Sequence, residues 1–164
     1  SCATINFRSQ LNLNTTQAIK EQAYRLGFSL VGVATPGPLP HADVFETWLQ
    51  CGRHGEMTYL NTPRSRLCRS QPKQILPECR SVVVLGIRYP APPTQVTNDL
   101  KDMPHSGKIA AYVQGNDYHN FLPERLQSLV RFIETRVGHP VLNRWYTDTG
   151  PLLESELAQR AGLG

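Results

Sequence analysis

The chain has no two cysteines close enough to grip one metal. Its four, Cys2, Cys51, Cys68 and Cys79, stand 49, 17 and 11 positions apart, whereas iron–sulfur and zinc sites take ligands in short C-x-x-C steps so that one turn of chain reaches one metal. A resident cluster is not expected, and Cys51, Cys68 and Cys79 read as free, buried thiols. The segment His54-Gly55-Glu56-Met57 sets a His and a Glu two positions apart, not the four that put two ligands on one side of a helix, so no metal site is expected there and the segment reads as a turn. Long apolar runs are also missing. Nothing approaches the roughly 18 residues needed to span a bilayer, and residues 1–15 lack the basic-then-apolar order of a secretion signal. No membrane contact is expected, and the protein reads as cytoplasmic and monomeric. No glycine-rich phosphate cradle is evident, Gly115 standing alone in mid-chain. Charge is modest: 17 Lys plus Arg against 13 Asp plus Glu gives +4, compatible with a nucleic-acid partner and shared by many enzymes that have none.

What is present is enough for a real core: 164 residues, 40% of them apolar, suit one domain. Residues 1–14 are read as a loose tail and 15–164 as the domain. Thr15 or Thr16 is positioned to cap a helix with Ile19, Ala23 and Leu26 on one face, ended by Gly27 in the left-handed conformation. Phe28 to Ala34 reads as a strand, and a second helix carries Val44, Phe45, Trp48 and Leu49 on one side up to Gly52. Between Thr62 and Arg80 lie Arg64, Arg66, Arg69, Lys73 and Arg80, a patch suited to phosphate or carboxamide groups and equally to a solvated loop. Val82 to Ile87 is an almost continuous β-branched and apolar run, the mark of a strand buried on both faces in mid-sheet. The proline-rich stretch 91–106 is long enough for a lid or binding loop. Asp117 is placed to cap a long helix with Leu126, Leu129, Val130, Ile133 and Val137 as its buried stripe and Gly138 at its end. The expected fold is α+β, a mixed sheet flanked by helices.

The last twenty residues hold the most pointed feature. Val141, Leu142, Trp145 and Tyr146 read as a buried strand, Thr147 to Gly150 as the turn leaving it, and Pro151 as the first residue of a helix. Asp148 then sits at a strand's carboxyl end, where ligands collect in α/β layouts. On position alone, a cap for the helix that follows is the preferred reading of it. Tyr118 and His119 fall in the first turn of the long helix; by themselves they read as core packing and as a histidine bonded to backbone.

Three motifs, in order, carry a resemblance. Thr147-Asp148-Thr149-Gly150-Pro151-Leu152-Leu153-Glu154, followed by Leu157-Ala158-Gln159-Arg160-Ala161-Gly162-Leu163-Gly164, closely resembles the end of the amino-terminal domain of epoxyqueuosine reductase. Tyr112-Val113-Gln114-Gly115-Asn116-Asp117-Tyr118-His119 looks like that family's aromatic-x-x-Gly-x-Asp-Tyr-His segment. His54 to Met57, Arg69-Ser70-Gln71-Pro72 and Leu76-Pro77 through Arg80 to Val84 form a weaker third match. The resemblance implies a nitroreductase-like, cobalamin-binding domain of an enzyme that reduces epoxyqueuosine at the wobble position of tRNA, the last step of queuosine synthesis. It implies Asp148 as proton donor to the epoxide oxygen. Arg69, Tyr112, Gly115, Tyr118, His119 and Asp148 are implied as cobalamin contacts. The family's two 4Fe-4S clusters are expected only in a region beyond Gly164, so this chain alone is expected to be inactive. Two other readings stay open: a cobalamin-binding domain without catalysis, and a flavin reductase of similar architecture. An Asp with its ordinary pKa near 3.9 is ionised at neutral pH, so a proton-donating Asp148 requires a shift of about three units, or about 4 kcal/mol.

Overall fold

A computed structural model describes residues 2–7, 13–88 and 117–164. The elements run β1 (Cys2–Phe7), α1 (Leu13–Arg25), β2 (Leu30–Ala34), α2 (Ala42–Gln50), α3 (Pro63–Ser70), β3 (Ser81–Gly86), α4 (Tyr118–Val137), β4 (Asn143–Thr147) and α5 (Glu154–Arg160), with short 3-10 turns at Thr58–Asn61 and Pro72–Gln74. The four strands form one sheet in the order β2-β3-β1-β4. Every pairing is antiparallel, so the α+β class holds while the expected mixed sheet is corrected, among the described residues, to an antiparallel one. The apolar run of β3 is buried on both faces as expected; burial arises because helices cover each side, not from parallel pairing.

The expected loose tail is the larger correction. Cys2–Phe7 is an inner strand, paired with β3 on one side and β4 on the other. Its side chains alternate as the pleat requires. Ala3, Ile5 and Phe7 join Val31, Val83 and Leu85 beneath α1 and α4, where Ile19, Ala23, Leu122, Leu126, Leu129 and Ile133 fill the first core. The even-numbered side chains face the second core, built from Leu39, Leu76, Cys79, Val82, Val84, Leu152 and Leu157, with Cys2 and Tyr146 packed against it. Thr4 and Asn6 are fully buried, and the Asn6 side-chain amide donates to the Arg144 carbonyl across the strand pair at 3.1 Å.

Helix boundaries follow local chemistry. α1 starts at Leu13, ahead of the expected Thr15 or Thr16 cap, and Gly27 has φ 87° as expected. α4 is capped as expected: the Asp117 carboxylate accepts from the His119 N–H at 2.9 Å, and Gly138 closes the helix in the left-handed conformation. Pro123 is accommodated inside that helix. The arginine patch is partly helical, since Thr62 accepts from Ser65 N–H and Pro63 opens α3. Pro151 does not start a helix; it lies in the bend before α5, whose first residue is Glu154.

Candidate active site

Asp148 leaves β4 in an unusual conformation. Its φ of 54° makes it the one positive-φ residue other than glycine among the described residues, a region that L side chains enter at a cost and that Asp tolerates better than most. The Thr149 N–H donates to the Thr147 carbonyl at 2.6 Å, closing a tight turn around it. Gly150 holds the turn against β4: a Cβ there would stand 2.5 Å from Cγ of Tyr146, so the ring and the backbone fit only because position 150 has no side chain. Asp148 is not the helix cap that its position allowed. The N-cap of α5 is Leu153, which makes no side-chain capping bond.

An open cavity of about 490 Å³ lies beside this turn, lined by Asp148, Gly150 and residues 152–156 on one side and by His41, Val44, Phe45, Trp48 and Arg69 on the other. Arg69 comes from α3, where its guanidinium donates to the Ser65 hydroxyl and sits 5.7 Å from the centre of the Phe45 ring. Burial pulls its pKa down. Phe45 and Trp48 stack with centroids 6.1 Å apart. The apolar stripe expected on α2 is thus only partly core: Leu49 is buried, while Val44 stays 61% exposed at the cavity. Behind Arg69, Arg66 forms a two-pronged pair with Glu46, locking α3 to α2. His41 Nδ1 lies 2.7 Å from Glu156 Oε1 and spans the cavity from α2 to α5. Arg160 donates to the carbonyls of Thr35 (3.2 Å), Gly37 (2.9 Å) and Pro38, fastening the loop ahead of α2 to α5.

The side chain that the sequence reading missed is Glu154. Burial first, then the neighbouring charge of Asp148 and a side-chain hydrogen bond with it, push the Glu154 carboxyl up to about 7. It also accepts from the Asp148 backbone N–H. Glu154 Oε1 is buried with no hydrogen-bond partner. Cys2, at the end of β1, is pushed up to about 12 by burial, then by Glu154 and Asp148, so it remains a neutral thiol beside the two carboxyls. An acidic residue in a helix's first turn is ordinary, and only the tertiary fold sets Glu154 against Asp148.

Of the residues singled out in the sequence, Asp148 and Arg69 meet at this cavity. Tyr118 and His119 do not line it: Tyr118 packs against the core beneath α1 and α4 on the opposite face of the sheet, and His119 Nδ1 turns back to Asp117 Oδ1 at 2.8 Å. Tyr112 and Gly115 lie outside the described residues. His54 to Met57 form the expected turn. Cys68 and Cys79 are buried and free as expected, but Cys51 is exposed because it follows the last turn of α2 on its outer side. Among the described residues no three of His, Cys, Asp or Glu gather as metal ligands, and no helix is long and apolar enough to cross a membrane.

The chain has similar counterparts among known proteins, in sequence and in fold. Residues 69–149 match a family model described as epoxyqueuosine reductase QueG, DUF1730. The chain is 36% identical over 146 residues to the epoxyqueuosine reductase of Vibrio cholerae, covering 89% of this chain and 38% of that protein. It is 34% identical over 148 residues to that of Pseudomonas aeruginosa, covering 90% and 40%. The crystal structure of a selenomethionine-labelled epoxyqueuosine reductase superposes with a TM-score of 0.72 at 25% identity, over 92% of this chain and 39% of that one. By sequence and by fold, then, this chain is similar to the epoxyqueuosine reductases over about nine tenths of its own length, and it spans about two fifths of theirs.

Proposed function

We propose that this chain is the cobalamin-binding, proton-donating part of an enzyme that reduces epoxyqueuosine to queuosine at the wobble position of tRNA. The observation that carries the reading is the meeting of Asp148 and Arg69 at one cavity, although they come from separate motifs. The walls suit a large, flat, amide-fringed group: Phe45, Trp48, Val44, Leu152 and Leu153 offer apolar surface, and Arg69 offers a guanidinium fork. Cobalamin in a highly reduced state would supply the electrons that opening an epoxide requires. The chain's own residues supply the rest. Arg69, steadied by Ser65, orients polar groups at the rim. With that group bound, the apolar wall would exclude water, and Asp148, in the turn at Thr147–Gly150, would be the carboxyl that donates to the oxygen released. The nitroreductase-like relationship of the fold belongs to the same proposal, as does a cytoplasmic, monomeric protein working on tRNA.

The test is Asp148→Asn within the full-length enzyme. Cobalamin binding, followed by absorbance, is expected to persist while turnover of epoxyqueuosine-containing tRNA falls by at least about a hundredfold, the usual scale of losing a positioned general acid. Wild-type turnover would remove Asp148 from the mechanism. The 164-residue chain by itself, whose four cysteines are too dispersed for a 4Fe-4S cluster, is expected to bind cobalamin without turning over. Uptake of flavin in place of cobalamin would overturn the assignment.

A further inference from the structure

Asp148 has an awkward task. It leaves the sheet as an exposed residue, and an exposed Asp is almost wholly ionised at neutral pH. Glu154 lies against it from the first turn of α5, accepting its backbone N–H and sharing a side-chain hydrogen bond with it. Two carboxylates can share such a bond only if one of them carries a proton.

We propose that Glu154 is the positioning residue for the transferable proton: the two carboxyl groups hold one proton between them, so that Asp148 has a proton to donate at neutral pH that it would lack alone. The surroundings of the pair support this. Asp148 is held at φ 54° by the bond from Thr149 to Thr147 and by the contact of Gly150 with Tyr146, an orientation that turns both its N–H and its carboxyl toward Glu154. Glu154 Oε1 is buried and without a partner, a place where a full negative charge is costly. Of the groups facing the pair, Cys2 of β1 is a neutral thiol, His41, which precedes α2, is engaged by Glu156 of α5, and Arg69 of α3 is a cation whose guanidinium donates to Ser65. The positive charge of the amino group at position 1 lowers Glu154 by less than burial and Asp148 raise it. The burial-driven rise of Glu154 to about 7 agrees in direction. When Asp148 gives up its proton to the acceptor oxygen, both carboxyls are left anionic and adjacent; their repulsion draws a proton back from water and restores the starting state.

The inference rests on the reading of Asp148 as proton donor, but its first test does not. In the 164-residue chain with 13C-labelled Asp and Glu carboxyls, Asp148 and Glu154 are expected to titrate as a coupled pair with one step near neutrality. Glu154→Gln should leave Asp148 with a single step near 4, as in an ordinary Asp, and Asp148→Asn should lower the step of Glu154. Separate titration of both carboxyls near 4 in the unsubstituted chain would overturn the proposal, and that measurement needs no variant to fold. In the full-length enzyme, Glu154→Gln should move the alkaline limb of the turnover profile to lower pH while Glu154→Asp largely restores it; an unmoved profile would also overturn it. If Asp148→Asn turns over normally while the coupled titration is present, the proton-donor reading fails and the shared proton stands.

Discussion

At the scale of single residues, the site depends on side chains that are small or uncharged where larger or charged ones would be ordinary. Gly150 is the clearest. With a Cβ placed 2.5 to 3.0 Å from three atoms of Tyr146, Gly150→Ala must push the ring out of the second core or open the turn that holds Asp148. A loss of about 1–3 kcal/mol in urea unfolding, typical of overpacking, is expected for the chain, and on the proposed function the same substitution in the full-length enzyme should lower turnover more than cobalamin affinity. Glu154 leaves a different mark. Its carboxyl is raised in the folded chain to about 7 from the ordinary 4.5, so the native state holds a proton that the unfolded chain has already lost. Its contribution to stability is therefore fully present below about pH 4.5 and is lost as pH rises through about 7. The urea midpoint should fall between pH 5 and 8, and Glu154→Gln should flatten that fall. Asp117, held below the usual carboxylate range by the His119 N–H and ring, works in the opposite sense and only in acid, as pH drops toward its own titration. Asp148 could be read from the sequence because a strand, a turn and a proline-led segment bracket it. Glu154 could not, because its partner is chosen by how α5 folds back on β4.

At the scale of elements, legibility followed periodicity and length. α4 was readable because twenty residues repeat one apolar stripe between a capping Asp117 and a terminal Gly138. Leu126→Ala, which removes a fully buried side chain from beneath that helix, is expected to cost about 2–5 kcal/mol, measurable by thermal or urea unfolding. α3 is only eight residues long with little apolar content, and its Thr62–Pro63 start was the one local signal that it would be helical. β1 hid in a similar way. Ala3, Ile5 and Phe7 alternate as a strand should, but Thr4 and Asn6 between them look like tail polarity until a second core is known to cover them. Helix α2 shows the converse: its apolar side was visible, yet Phe45, Trp48 and Val44 turn toward a cavity and not toward a closed core. Hydrophobic spacing reports which side is apolar; it does not say whether protein or ligand meets it.

At the scale of the molecule, two cores on opposite faces of one sheet divide the labour. The face under α1 and α4 is closed by large aliphatic side chains. The other face lies beside the candidate site, and the sheet and α5 approach so closely there that a Cβ on Gly32 would stand 2.6 Å from Cβ of Ala161. That closeness, with Arg160 tying α5 to the loop ahead of α2, fixes the cavity walls relative to one another.

Among the described strands, β4 pairs with β1 alone. Residues 2–7 are therefore the splint on which Asp148 hangs, with no direct bond from β3 to β4. Any trimming, proteolysis or fusion that disturbs residues 2–7 would part Asp148 from the paired strands β2 and β3 and at the same stroke take Ile5 and Phe7 out of the first core, so the turn at Asp148 and the stability of the sheet stand or fall together.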